Sequence, residues 1–331
     1  MSSESNSGVE TIATLGENAS LKRTVARLNP GGDHVLVGSG DDAAVIAASD
    51  GRFVVTTDTL VEGHDFRTDW SSAYDLGWKA VATNIADVAA MGAVPTALVV
   101  ALVVPKETAV TWLEDFADGL REACLALAPG CAVVGGDLAS GSQIVIAVTA
   151  HGDLQGREPV LRSGAKAGDI VAVAGTLGQA AAGLTLLQGG QAWAISAYED
   201  WVAVQRRPTP PISAGRAAAV AGATAMLDIS DGLAKDAARI ARDSGVTIQL
   251  DRLQLQGFEA VLEGAGQAID VDPFGWVISG GEDHSLLATF APGATIPREF
   301  KPIGRALPAG EHSVLLADAP IAELGWDSVT G

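Results

Sequence analysis

A chain of 331 residues with 48% hydrophobic side chains is long enough for one large or two ordinary domains and can fill a core in both. Its 21 Lys and Arg against 40 Asp and Glu give a net charge of −19, which opposes attraction to nucleic acid or to an anionic membrane and argues against either as a partner. Cys124 and Cys131 are the only cysteines and stand in apolar surroundings without metal-ligand companions, so buried thiols in a reducing cytoplasm are expected rather than a disulfide or a zinc site.

The opening MSSESNSG lacks the basic and apolar regions of a signal peptide and reads as a short frayed tail, and no apolar run reaches the roughly 20 residues that span a bilayer. A soluble, cytoplasmic protein is expected. Gly16 to Asn29 predicts a first helix, ended by Pro30-Gly31-Gly32. HVLVG, AAVIAAS and RFVVTTDTL then read as strands, and Asp50-Gly51 between the last two predicts a type I′ hairpin. GSGDDA, Gly38 to Ala43, matches the Gly-x-Gly-x-x-Ala turn of a dinucleotide-binding fold. That turn must open a long helix, and only six residues separate it from the Asp-Gly turn, so the fingerprint is a minority reading. Ser71 to Met91 predicts a long buried helix with a Ser cap and Asp75 in its first turn, ended by Gly92. PTALVVALVVP is a buried strand, Lys106 to Ala128 an amphipathic helix, and CAVVGGDL and QIVIAVTAHGDL two more strands.

A glycine- and charge-rich stretch, Gln155 to Gly168, makes a boundary, placing one domain at 1–152 and a second at 153–331. Beyond it DIVAVAG is a strand, Gln179 to Gln188 a helix, RRPTPPIS a stiff connector, AGRAAAVAGA a helix and AMLDIS a strand. DGLAKDAARIARDSG follows as a helix, then VTIQLD, and the alternation continues through HSLLATF and KPIGRAL to SVLLAD. Both halves read as α/β.

Most acidic residues of an acidic protein are solvated surface, but six depart from that pattern. Asp42 lies in the glycine loop, Asp58 ends FVVTT, Asp87 sits within NIADVAAM, Asp137 follows VVGG, and Asp228 and Asp231 flank Ile-Ser in MLDISDG. Each has apolar or small neighbours and few bases nearby, and a metal ion is a common remedy for such carboxylates. With the hydroxyls of Thr56 and Thr57 they form a hard-oxygen set suited to magnesium. DVDPFG, Asp270 to Gly275, lacks the ligands of a calcium loop. Magnesium held by carboxylates serves phosphates, and the pairs Gly135-Gly136 and Gly280-Gly281 could admit phosphate or ribose to backbone amides. No Walker A loop and no protein-kinase signature occurs. Asp231 before Gly-Leu is also a good helix N-cap.

Taken in order, GDDAAVI, TTDTLVEG, NIADVAAMGAVP, GGDLASG leading into RSGAKAGD, and DISDGLAKD with SGGED resemble the thiamine-monophosphate kinase family, of the superfamily that includes aminoimidazole ribonucleotide synthetase, hydrogenase maturation protein and selenophosphate synthetase. The resemblance runs from Gly16-Glu17 to Gly325-Trp326-Asp327. It implies a two-domain aminoimidazole ribonucleotide synthetase-like α/β (α+β) fold. The N-terminal mixed domain would bind ATP and magnesium and join a second copy in a barrel-like sheet, and the C-terminal α/β domain would complete the active site. The implied reaction is direct transfer of phosphate from ATP to thiamine monophosphate, giving thiamine diphosphate. Asp42, Thr56, Thr57, Asp58, Asp87, Asp137, Asp228 and Asp231 would hold several magnesium ions, a potassium requirement being left open. Gly136, Asp137, Arg162 and Ser230 would contact ATP. Glu282 and Trp326 would hold thiamine, whose cationic ring suits a carboxylate and an aromatic face.

One departure stands out. Related sequences commonly carry a substrate-touching His before Phe after TTDTLVEG, whereas GHDF places Asp65 there and His64 one residue earlier. Asp65 is therefore the expected contact. Two rival readings are another ATP-using synthetase of the same superfamily and a catalytically silent nucleotide- and metal-binding module; a nicotinamide-dependent dehydrogenase is a third.

Overall fold

The structure, a computed structural model, describes residues 9–29, 31–37, 44–322 and 325. The chain divides into two compact units, residues 1–47, 57–81 and 97–149 in the first and residues 48–56, 82–96 and 150–331 in the second.

Up to residue 153 the elements are α1 (Ile12–Leu15), α2 (Glu17–Val25), β1 (Val35–Val37), β2 (Val45–Ile46), β3 (Val54–Val61), α3 (Ala73–Ala90), β4 (Val94–Val104), α4 (Val110–Leu127), β5 (Ala132–Ser140) and β6 (Val145–Asp153). β1 and β2 pair antiparallel with each other, and a four-stranded sheet runs β3-β6-β4-β5. The long helix α3 is started as its sequence dictates. Asp75 Oδ2 accepts the Ser72 N–H at 3.0 Å while Ser72 Oγ accepts the Asp75 N–H at 3.2 Å, a reciprocal cap. Gly92, at φ +74°, supplies the left-handed residue that ends it. In the first unit α3 and α4 meet at two glycines. A Cβ on Gly77 would lie 2.2 Å from the Phe116 carbonyl oxygen, and one on Gly119 would lie 2.1 Å from that of Tyr74. Backbone touches backbone there, and only hydrogen fits.

Two expectations are corrected. The first helix ends at Val25 rather than Asn29 and is preceded by the short α1. The Asp50-Gly51 turn exists, with Gly51 at φ +76°, but makes no hairpin: β2 pairs with β1 and β3 with β6, and Asp50, without positive φ, accepts the Arg52 N–H at 3.0 Å. No helix follows β2, which leaves the dinucleotide-binding turn without its context. The glycine loop itself, with Asp42, lies outside the described residues.

After residue 153 come β7 (Ile170–Ala174), α5 (Gln179–Gly189), α6 (Ala192–Ala197), α7 (Glu199–Arg206), α8 (Ile212–Val220), β8 (Ala223–Ile229), α9 (Leu233–Ser244), β9 (Val246–Leu250), α10 (Arg252–Ala260), α11 (Glu263–Ile269), α12 (Pro273–Ser279), β10 (Ser285–Phe290), β11 (Phe300–Pro308), β12 (Val314–Leu316) and β13 (Ala319–Pro320). Their sheet is mixed and runs β13-β12-β9-β11-β7-β10-β8. Every residue of β10, SLLATF, is buried, the polar Ser285 and Thr289 included, as its interior place between β7 and β8 requires. Helix α9 turns Leu233, Ala237, Ile240 and Ala241 into the same core as Val173, Leu227 and Leu287. Full burial of one such Ile contributes about 2 kcal/mol. The DVDPFG string is a helix start: Asp272 caps α12 by accepting the Phe274 N–H at 3.0 Å, and Pro273 takes the first turn. No described helix is long and apolar enough to cross a membrane.

Candidate active site

In the first unit, Thr57 and Asp58 stand on β3, at one edge of the four-stranded sheet. Thr57 Oγ1 donates to the Val148 carbonyl of β6 at 2.9 Å, and Asp58 is exposed. Asp137 is also exposed, on the opposite edge strand β5. Three strand spacings, about 14 Å, separate the two edges, so Asp58 and Asp137 do not share one ion within this sheet. Gly136 faces Val100 across the parallel β4–β5 ladder, and a Cβ there would lie 2.1 Å from the Val100 carbonyl oxygen. The ladder alone demands that glycine, whereas Gly135 has open space about it. Asp65 closes the turn after β3. Its Oδ2 accepts the Val61 N–H at 2.8 Å and its Oδ1 lies 3.0 Å from His64 Nδ1.

In the second unit, Thr56 Oγ1 donates to Asp87 Oδ2 at 2.8 Å, tying the start of β3 to α3. Alternation along the strand sends Thr56 and Asp58 to one face and Thr57 to the other. Asp228 is buried near the end of β8, and its Oδ2 lies 3.2 Å from Nδ1 of His284, which is also buried. Asp231 departs from expectation in two ways. It has cationic partners, Arg239 at 2.5 Å and Lys235 at 3.3 Å, both on Oδ2. It is also not the helix cap. Gly232, at φ +121°, is the capping residue, and Asp236 reaches back instead, its Oδ2 accepting the N–H groups of Asp231 at 3.0 Å and Gly232 at 3.1 Å. Asp236 is fully buried and also pairs with Arg239. Burial pushes its carboxyl up to about 6 against the pull of Arg239.

The SGGED loop zips onto this turn. Glu282 N–H donates to the Ser230 carbonyl at 2.9 Å and His284 N–H to that of Ile229 at 3.1 Å. A Cβ on Gly281 would lie 2.3 Å from the Ser230 carbonyl oxygen, and one on Gly280 would lie 2.3 Å from that of Trp276. Both glycines are thus explained by neighbouring backbone, without a phosphate. Glu282 and His284 are left-handed, at φ +66° and +49°. Glu282 Oε2 accepts a hydrogen bond from Gln205 Nε2 at 2.5 Å. Arg162 is exposed beside a cleft of about 450 Å³ that takes in Leu161 and Ser163, and its carbonyl accepts the Ser244 hydroxyl at 2.9 Å. Ser230 is half-buried. Trp326 lies outside the described residues, but Gly325 packs on the same turn, 2.4 Å from Cβ position to Asp231 carbonyl oxygen.

Asp283, next to Glu282, is buried with Oδ1 accepting the Thr176 hydroxyl at 2.7 Å and the Gln179 N–H at 3.2 Å, and Oδ2 without a hydrogen-bond partner. Burial pushes its carboxyl up to about 6, opposed by Thr176 and the amides at the start of α5. The folded state therefore holds the extra proton, and stability rises as pH falls from about 6 to about 4 and is flat above. Asp283→Asn is expected to remove this slope. Its stability relative to the parent should shift by about 2 kcal/mol between pH 4 and pH 7, read by denaturant unfolding. Parallel pH profiles would contradict it.

Asp236, Arg239, Lys235, Gln205, Asp283 and His284 were not singled out from sequence. Asp236 stood in plain view within DISDGLAKD, five residues after Asp231, and its reach back to the turn was the available signal. Among the described residues no three His, Cys, Asp or Glu side chains form a ready metal cage. The donors are nevertheless all carboxylate and hydroxyl oxygens. Magnesium bound with a nucleotide needs only one or two carboxylates besides phosphate oxygens, so the residues present fit it.

Residues 40–154 match the family model AIR synthase related protein, N-terminal domain, and residues 166–278 match its C-terminal domain. The chain is 45% identical over 322 residues to thiamine-monophosphate kinase of Mycobacterium tuberculosis, covering 96% of this chain and 93% of that one. The crystal structure of thiamine monophosphate kinase from Aquifex aeolicus superposes with a TM-score of 0.75 at 32% identity, over 81% of this chain and 89% of that one. AaThiL complexed with AMPPCP and TMP gives 0.76 at 30% identity, over 97% and 99%. Similarity of this extent settles the two-domain AIR synthase-like α/β fold with mixed sheets, and the chain belongs to the thiamine-monophosphate kinase family.

Proposed function

We propose that the protein transfers the γ-phosphoryl group of ATP to thiamine monophosphate. An oxygen of the thiamine-bound phosphate forms the new P–O bond, the bond from γ-phosphorus to the β–γ bridging oxygen breaks, and ADP leaves. The reading is carried by family membership along almost the whole chain, joined to an oxygen-only donor set that includes no poised nucleophile. The acceptor is already an anionic phosphate, so charge repulsion and alignment, not deprotonation, are the obstacles. Magnesium, when bound, offsets phosphate charge and holds the reacting oxygens in line.

The residues proposed to hold it are Asp42, Thr56, Thr57, Asp58, Asp87, Asp137, Asp228 and Asp231, and several ions are part of the proposal. For Asp87 and Asp231 the second oxygen or a neighbour is already engaged, which fixes the carboxylate before an ion arrives. Gly136, Asp137, Arg162 and Ser230 are assigned to ATP. Arg162 brings a fixed positive charge to accumulating phosphate charge. Asp65, Glu282 and Trp326 are assigned to the thiamine end. The Glu282 carboxylate, held by Gln205, suits the cationic ring.

The same reading divides the chain functionally at 152/153 and pairs it with a second copy through the four-stranded sheet. Support for pairing comes from the open edge β3 and from Val55 on it, 55% exposed. A cytoplasmic setting follows from the need for ATP. The test is incubation with ATP, magnesium and thiamine monophosphate, followed by separation of products. Thiamine diphosphate and ADP in equal amounts are expected. Phosphate release without thiamine diphosphate would favour a synthetase of the same fold, and binding of ATP without turnover a silent module.

A further inference from the structure

Around the turn after β8, Asp228 near the end of the strand and Asp231 in the turn both lie within electrostatic reach of Asp236 on α9. Their mutual repulsion has to be managed, and Arg239 faces two of them at once, with one guanidinium nitrogen on Asp236 Oδ1 and the other on Asp231 Oδ2. Asp236 anchors the arrangement. It has no solvent exposure, and its second oxygen holds the backbone N–H groups of Asp231 and Gly232. Asp231 is thus gripped twice, by its backbone through Asp236 and by its side chain through Arg239. Its contacts from described residues all fall on Oδ2. Ion pairs of this kind yield little net stability once desolvation is counted, and what they fix is geometry.

We propose that Arg239, seated on the buried Asp236 carboxylate, is a positioning residue that orients Asp231 for metal-nucleotide binding. The inference rests on the assignment of Asp231 under the proposed function. Arg239 touches neither substrate nor metal; it restrains a ligand, as partners behind metal ligands do. The planar fork is what the task needs, since two carboxylates must be met in one plane.

The test uses Mn²⁺ as a paramagnetic probe, titrated into the full-length protein with AMPPCP and followed by electron paramagnetic resonance. Arg239→Met is expected to weaken Mn²⁺ binding about tenfold, and Arg239→Lys, which keeps the charge but loses the fork, by less. The decisive arm is a double-mutant cycle: in an Asp231→Asn background the Arg239→Met change should have no further effect on Mn²⁺ affinity. Unchanged affinity in folded Arg239→Met, or an equal loss in both backgrounds, overturns the proposal. Should Arg239→Met not be recovered folded, Arg239→Lys is carried through the same cycle with the same criteria. The Mn²⁺ readout stands without turnover, so a wild-type protein that makes no thiamine diphosphate would sink the proposed reaction and leave this test intact.

Discussion

Asp58→Asn is expected to lower thiamine monophosphate phosphorylation at least about a hundredfold, close to 3 kcal/mol of transition-state stabilisation, while leaving the fold unchanged. Asp58 is exposed on an edge strand, and asparagine keeps its size, so neither packing nor ladder should suffer. What is lost is negative charge at the point where a divalent ion would sit, and a neutral amide oxygen is a poor substitute. The measurement is kcat with saturating substrates across a magnesium titration, beside a circular dichroism melt. A loss that extra magnesium restores would mean weakened affinity; a loss it does not restore would mean altered alignment. Parent-like activity would remove Asp58 from the metal set.

The largest stability effect is expected far from any carboxylate. Gly119→Ala places a methyl carbon 2.1 Å from the Tyr74 carbonyl oxygen and 3.1 Å from the Trp78 nitrogen, both backbone atoms that cannot rotate aside. Helix α4 must then separate from α3 by an ångström or more, opening the packing around Leu76 and Phe116. Destabilisation of about 3 kcal/mol or more should follow, against the fraction of a kcal/mol that alanine gains over glycine in an open helix. A thermal midpoint lowered by at least about 6 °C is the readout. A neutral or stabilised variant would show that the two helices do not meet as closely as described.

Much of the fold was legible because its signals are local. Gly92 and Gly245 end α3 and α9 where the glycines stand, Ser72 and Asp75 cap α3, and the proline run after Arg206 keeps α7 from α8. The Asp50-Gly51 hairpin failed for a non-local reason: β3 found its partner in β6, some 90 residues later, where Thr57 bonds the Val148 carbonyl. The helix-cap assignment of Asp231 failed because Gly232 takes the cap position, and Asp236, one turn on, reaches back to the amides of Asp231 and Gly232. Of the aspartates expected at strand ends, only Asp228 stands near one, in β8; Asp58 and Asp137 lie inside β3 and β5, because each strand runs on through the polar residues that follow them. Which cations face the aspartates could not be read from sequence, because Arg239 reaches Asp231 only once α9 is wound.

The SGGED loop carries a final consequence. With the Glu282 and His284 amides bonded to Ser230 and Ile229, and Gly280 and Gly281 pressed on backbone, the segment has little conformational freedom left to lose. Ordering a mobile loop costs roughly 1–2 kcal/mol per residue, and here folding has already met that cost. A ligand at Glu282, the contact proposed above, would therefore meet a preorganised wall, and its affinity there would reflect contact chemistry rather than the entropy of closing a lid.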